Sequence, residues 1–231
     1  MIKYKSVKYI FIFRLLLIIF LPMTILLTIL EFYAFNKEFY LIEFDKYNIY
    51  KTTKMNKEDI SKVADKLISY MKGEINNLNI TAKINGITDE VFGQREKQHM
   101  IDVQILFNRG FKLRKISFIV SLLSLFGITF LAQDRKRELF KVLLWAGIIP
   151  LILMIILFIL LKINFYKYFT IFHKIFFTND LWLLNPETDI LIQMLPLGFF
   201  IDMCIRILTI FIVILFADVI ISYFALNKFL N

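Results

Sequence analysis

Four long apolar runs constrain this chain more than any other feature. A helix needs about 20 mostly apolar residues to cross a bilayer, and residues 9–30, 116–132, 139–161 and 207–226 approach or exceed that length. Arg14 alone interrupts the first run, and no charge interrupts the second. Lys141 lies near the start of the third, and Asp218 is the one acid in the last. The hydrophobic content of 58% is well above the roughly 45–50% of soluble domains. The expected fold class is an α-helical integral membrane protein with four transmembrane helices. Lys3, Lys5 and Lys8 give the chain a signal-like start. A signal core, however, is only about 7–15 residues long and ends in small residues, so the first run is expected to stay as a helix.

Lysine and arginine near the span ends orient such a chain. Lys3, Lys5 and Lys8, the basic connection 133–138 and Lys228 all fall on one side if the chain crosses four times. That side is expected to be cytoplasmic, with both termini. Arg109, Lys112, Arg114 and Lys115 count against this, but they belong to a long outer segment whose charges weigh less. The chain then reads as a single membrane domain over 1–231 in the cell membrane. Residues 33–115 form an extracytoplasmic cap, 133–138 a cytoplasmic loop and 162–206 an extracytoplasmic or interfacial segment. The net charge of +9 is a topology and phospholipid-surface signal, with no basis for nucleic-acid binding. The sequence does not give the oligomeric state; a monomer is the expectation.

The cap is expected to be small and α/β. Asn56 is suited to cap a helix from Lys57, along which Ile60, Val63, Leu67, Ile68 and Met71 recur at helical spacing before Gly73. Around Asn85-Gly86 apolar residues alternate, which predicts a short hairpin. From Gln94 the pattern turns helical and can run into the second span, with Arg109-Gly110 as a candidate break. Segment 162–206 mixes Tyr166, Phe169, Phe172, Phe177 and Trp182 with polar residues, and its apolar stretch 190–196 is too short to span. It reads as an interfacial or re-entrant aromatic segment.

The chain has two histidines, His99 and His173, both outside the apolar runs. Imidazole is the side chain best suited to carry protons near neutral pH. Asp102, three residues after His99 on a helix, is a candidate orienter of its ring; surface pairing or capping is the bland alternative. Within the membrane, Arg14 and Asp218 lie at comparable depth and are expected to form a structural ion pair.

The strings Glu96-Lys97-Gln98-His99-Met100-Ile101-Asp102-Val103 and Phe172-His173-Lys174-Ile175-Phe176-Phe177-Thr178-Asn179-Asp180-Leu181-Trp182 are followed by Pro186, Asp189 and Met194-Leu195-Pro196. Together they resemble the lipoprotein intramolecular transacylases of Gram-positive bacteria, a family of four-span membrane proteins. The resemblance extends over nearly the whole chain in length, span order and motif position. It implies a catalytic pair, His99 and His173, at the extracytoplasmic face. Supporting roles for Glu96, Asp102, Asn179 and Asp180 rest on local chemistry. The implied partner is a diacylated bacterial lipoprotein. Its sn-2 acyl chain would move from the S-diacylglyceryl group to the free α-amine of the N-terminal cysteine, giving a lyso-form product. No cofactor or metal is implied.

Two alternatives stay open on the residues alone. His99, Asp102, His173 and Asp180 could ligate zinc in a membrane hydrolase, although their spacing matches no specific zinc motif. The aromatic segment and basic surface could instead belong to a non-enzymatic accessory protein holding lipoproteins or lipids at the outer leaflet.

Overall fold

A computed structural model describes residues 2–228, with side chains from residue 9 onward. The side chains of Lys3, Lys5 and Lys8, used above to orient the chain, lie outside the described residues. Among those described, the order is α1 (Ile2–Ala34), α2 (Lys37–Lys46), α3 (Ile49–Thr53), α4 (Lys57–Lys72), β1 (Thr81–Ile84), β2 (Ile87–Glu90), α5 (Gln94–Leu131), α6 (Arg135–Ile163), α7 (Phe165–Phe176), α8 (Ile190–Met194) and α9 (Leu197–Lys228). The helices α1, α5, α6 and α9 are long and apolar enough to cross a membrane. The protein is an α-helical membrane protein with four such spans.

The chain forms two compact units. One comprises Met1–Leu30, Phe111–Lys162 and Arg206–Asn231, and the other Glu31–Gly110 and Ile163–Ile205.

In the first unit, large apolar side chains such as Phe118, Leu123, Phe126, Ile152, Phe216 and Phe224 stand exposed, as lipid-facing residues do. Helix contacts depend on small residues, which let backbones approach where lipid removes the usual hydrophobic drive. A Cβ on Gly127 of α5 would collide with the Phe13 ring of α1, and one on Gly147 of α6 would lie 2.7 Å from Val219 of α9.

The expected Arg14–Asp218 ion pair does not form. Arg14 instead donates to the Glu138 carboxylate in the first turn of α6, and Lys141 joins the same carboxylate at 3.2 Å. Asp218 accepts from Ser222 one turn later at 3.3 Å and packs beside Gly147. Counting depth from the helix ends ignored the reach of the arginine side chain, which can extend toward a carboxylate at the helix end.

The second unit is built on a core of α2, α4 and the β hairpin, with Phe39, Phe44, Ile60, Leu67, Phe92 and Phe199 almost wholly buried. As expected, α4 starts after Asn56, whose side chain accepts from the Asp59 N–H at 2.8 Å. It stops at Gly73, which takes the left-handed φ of +79°. β1 and β2 pair antiparallel with Ile84 opposite Ile87, and Asn85 and Gly86 both have the positive φ that a two-residue turn requires. The break at Arg109-Gly110 does not occur: α5 runs through it, because glycine in a helix weakens but need not interrupt it. At about 1.5 Å per residue α5 is about 57 Å long, roughly twice the hydrocarbon thickness. The charged residues of α5, among them Arg95, Glu96, Lys97 and Asp102, are concentrated in its N-terminal part, up to Lys115.

Candidate active site

The two histidines meet within the second unit. His99 lies near the start of α5 and His173 in the last turns of α7. Their ring centroids are 6.2 Å apart with an interplanar angle of 32°, and each residue is 8% exposed. Aromatic side chains wall the pair. Trp182 lies 4.8 Å from His173, centroid to centroid, and Phe169 lies 4.4 Å away; Phe177 sits against both histidines, 5.2 Å from His99 and 5.5 Å from His173.

One hydrogen bond fixes the tautomer of His173. Its Nδ1 lies 2.7 Å from the Phe169 carbonyl oxygen, one turn earlier on α7. A carbonyl only accepts, so Nδ1 carries the hydrogen and Nε2 of the neutral ring keeps its lone pair. Among the described residues, His99 Nδ1 is buried with no hydrogen-bond partner.

Burial governs the electrostatics. It pushes His99 down to about 4, with the neighbouring His173 adding to the effect and Asp102 opposing it. It also lowers His173, against which the Phe169 carbonyl acts by favouring the charged ring. His99 is therefore a neutral imidazole at pH 7.

The hydrogen bonds of the expected supporting residues run to groups other than the two rings. The Asp102 carboxylate accepts from the Asn179 side-chain amide at 2.8 Å, so Asn179 rather than His99 is its hydrogen-bond partner. Arg95 Nη2 donates to the backbone carbonyl of Asp180 at 2.7 Å, so it is this carbonyl, not the Asp180 carboxylate, that meets α5. These two bonds fasten the segment after α7 to α5. Glu96 is 3% exposed and accepts two backbone N–H groups at 2.6 Å, those of Gly93 before α5 and of Leu191 in α8. The first bond is half of a capping box. The second replaces the cap that Asp189 does not supply, because its own carboxylate accepts from the Asn185 N–H instead. Burial raises the Glu96 carboxyl above its usual range, while the Leu191 and Gly93 N–H groups act in the opposite direction. Among the described residues, no group of three or more His, Cys, Asp or Glu side chains converges as a metal site.

A protein-family model described as lipoprotein intramolecular transacylase Lit matches residues 15–200 of this chain. The chain belongs to the lipoprotein intramolecular transacylase family. Solved structures of the membrane-integral transacylase Lit from Bacillus cereus share its fold. One is 24% identical with a TM-score of 0.76, covering 95% of this chain and 96% of that one. Another, in which a histidine is replaced by arginine, is 23% identical with a TM-score of 0.75, covering 97% and 95%. An uncharacterised protein of Aquifex aeolicus is 32% identical over 111 residues; the match spans 48% of this chain and 47%, about half, of that relative's length.

For a member of the transacylase family, several residues at the site escaped the sequence reading. Phe169 contributes a backbone atom, for which side-chain identity carries no signal beyond its position one turn before His173. Trp182 stood out as an aromatic but not as a neighbour of His173, since the turn that brings it back is set by Asn179 and Asp180. Leu191 meets Glu96 from 95 positions away, and nothing local marks that contact.

Proposed function

We propose that this protein is an intramolecular acyltransferase acting on bacterial lipoproteins at the extracytoplasmic face of the cell membrane. In this reading the sn-2 acyl chain of an S-diacylglyceryl cysteine moves to that cysteine's α-amine. The observation that carries it is the buried approach of His99 and His173, within a chain of the transacylase family.

Such a reaction needs no nucleophile from the protein, because the substrate's amine attacks. It needs a base for the amine, a donor for the tetrahedral oxyanion and a proton for the departing glycerol alkoxide. An α-amine titrates near 8, so a base of modest strength can take its proton. His173 fits the base, since its Nδ1–H is held by the Phe169 carbonyl and Nε2 faces away with its lone pair. The amine nitrogen attacks the ester carbonyl carbon, and His173 takes a proton from it. His99, a neutral imidazole, donates a hydrogen bond to the oxyanion. Collapse breaks the bond between the acyl carbon and the glycerol oxygen, and the His173 imidazolium returns its proton to that oxygen. The product has the mass of the substrate. The nearby aromatic walls keep water away from the ester, which favours transfer to the amine over hydrolysis.

The test is a purified preparation in detergent, given a synthetic diacylated lipopeptide whose sn-2 chain alone is isotopically labelled. The label should appear as an amide on the cysteine nitrogen. Release of the label as free fatty acid would make the protein a hydrolase instead, and an unchanged lipopeptide would favour an accessory role.

A further inference from the structure

The charge that arrives on His173 has to be met by its surroundings. The elements packed around it carry Arg95, Glu96, Lys97, His99 and Asp102 on the first turns of α5, Lys167 and Lys174 on α7 and Asp180 on the following segment. Glu96 is held by the Gly93 and Leu191 N–H groups, and Lys97 by Asn79 and Glu90. Asp102 is engaged by Asn179, and Arg95 by the Asp180 carbonyl. His99 can add no negative charge. Among the described residues, the His173 ring donates its hydrogen bond to the Phe169 carbonyl, and its remaining ring contacts are aromatic.

Of those rings, Phe169 and Phe172 stand almost perpendicular to the imidazole, at 81° and 86°, whereas Trp182 and Phe177 are tilted against it and Trp182 is the nearer of the two. Its indole is tilted by 31° from the plane of the imidazole, with centroids 4.8 Å apart, against 39° and 5.5 Å for Phe177. The face of an aromatic ring carries negative potential, and indole is the strongest cation partner among side chains within about 6 Å. The position of Trp182 is also held firmly. Asn179 bonds Asp102 through its amide and accepts from the Leu181 N–H at 3.1 Å. The Asp180 carbonyl takes the Arg95 guanidinium and the Leu183 N–H at 3.1 Å. The chain is thus tied to α5 just before Trp182, and a turn closed from Leu183 back to Asp180 encloses it.

We propose that Trp182 is a positioning residue for the proton on His173: its indole face stabilises the imidazolium form of that ring. The inference rests on the reading of His173 as the proton carrier in the transacylation. It separates Trp182 from Phe177, the other ring tilted against His173, by the shorter distance and by the stronger affinity of indole for a cation.

Fluorinated tryptophans provide a test with little change of shape, since each fluorine weakens the negative potential of the indole face. The chain has two tryptophans, Trp145 and Trp182. Trp145 lies exposed on α6, so Trp145→Phe leaves Trp182 as the single site for mono-, di- and trifluorotryptophan. In that background, His99→Gln leaves one histidine to follow by NMR. The His173 titration midpoint should fall stepwise with fluorination, by about 0.5–1 pH unit across the series. With His99 present, the acidic limb of kcat/KM for a diacylated lipopeptide should move by the same amount. A midpoint that stays constant across the series, while Trp182→Leu shifts it, would overturn the proposal and leave Trp182 a packing residue. A stepwise midpoint shift without turnover in any of these proteins would uphold the Trp182–His173 pair and sink the transacylase reading instead.

Discussion

The side-chain amide of Asn179 donates to the Asp102 carboxylate at 2.8 Å, joining α5 to the segment after α7 across 77 positions of sequence. The bond lies beside the His99–His173 pair but touches neither ring. Its consequence is positional, since it holds the segment that carries Trp182 over His173.

Asn179→Ala and Asp102→Ala should therefore lower activity to similar extents, and the double substitution should cost little more than either alone. A coupling of about 1 kcal/mol between them is expected from a double-mutant cycle on thermal unfolding in detergent. If Asp102 oriented His99 directly, Asp102→Ala would abolish turnover while Asn179→Ala left it intact.

Glu96 offers a sharper structural test. Removing its carboxylate leaves two backbone N–H groups without an acceptor, those of Gly93 and Leu191. Glu96→Ala should destabilise by about 2–4 kcal/mol. Glu96→Gln should not fully rescue it, because an amide turns one acceptor oxygen into a donor facing an N–H. Melting curves of the three proteins check this, and a wild-type midpoint for Glu96→Gln would contradict it.

The pairing of Arg14 with Glu138 makes a prediction opposite to the one the sequence suggested. Glu138→Gln should lower stability by on the order of 1 kcal/mol, the pair being only partly sheltered. Asp218→Asn should leave the Arg14 pair intact and stay close to wild type. A large loss for Asp218→Asn and none for Glu138→Gln would restore the discarded pairing.

The histidines also set a pH dependence of stability. An unfolded His99 titrates near 6.5, whereas burial holds the folded ring near 4. Between those values the unfolded chain binds more protons, so stability rises with pH there and is lost as pH falls from about 6.5 toward 4. The contribution is at most about 3 kcal/mol. His99→Gln should flatten the slope of melting temperature against pH across that window; an unchanged slope would mean that His99 is solvated.

Much of this fold could be read from residue patterns, and the exceptions have physical causes. Four spans followed from hydropathy, while α4 and its hairpin neighbour followed from Asn56, Gly73 and Asn85-Gly86, where local chemistry decides the structure. Helix α2 went unseen because no single apolar face runs along it: Glu43 lies buried beside Phe39, Tyr40 and Phe44. At the site, the histidines stood out by type, but the partners of Asp102, Glu96 and Arg95 did not. Each of those side chains bonds a residue far away in sequence, and spacing along one helix says nothing about competition from another element. The spacing of His99 and Asp102 was real, yet Asn179 took the carboxylate.

The central claim is that His99 and His173 act together in moving an acyl chain within a lipoprotein. The most direct test is mass spectrometry of the N-terminal lipopeptide from a diacylated reporter lipoprotein, co-expressed with the wild type, His99→Ala or His173→Ala, with membrane insertion verified for each. The wild type should yield an N-acyl, S-monoacylglyceryl peptide of unchanged mass, and both variants should leave the diacylglyceryl form. Rearrangement by either variant at the wild-type level would remove that histidine from the chemistry and contradict the account.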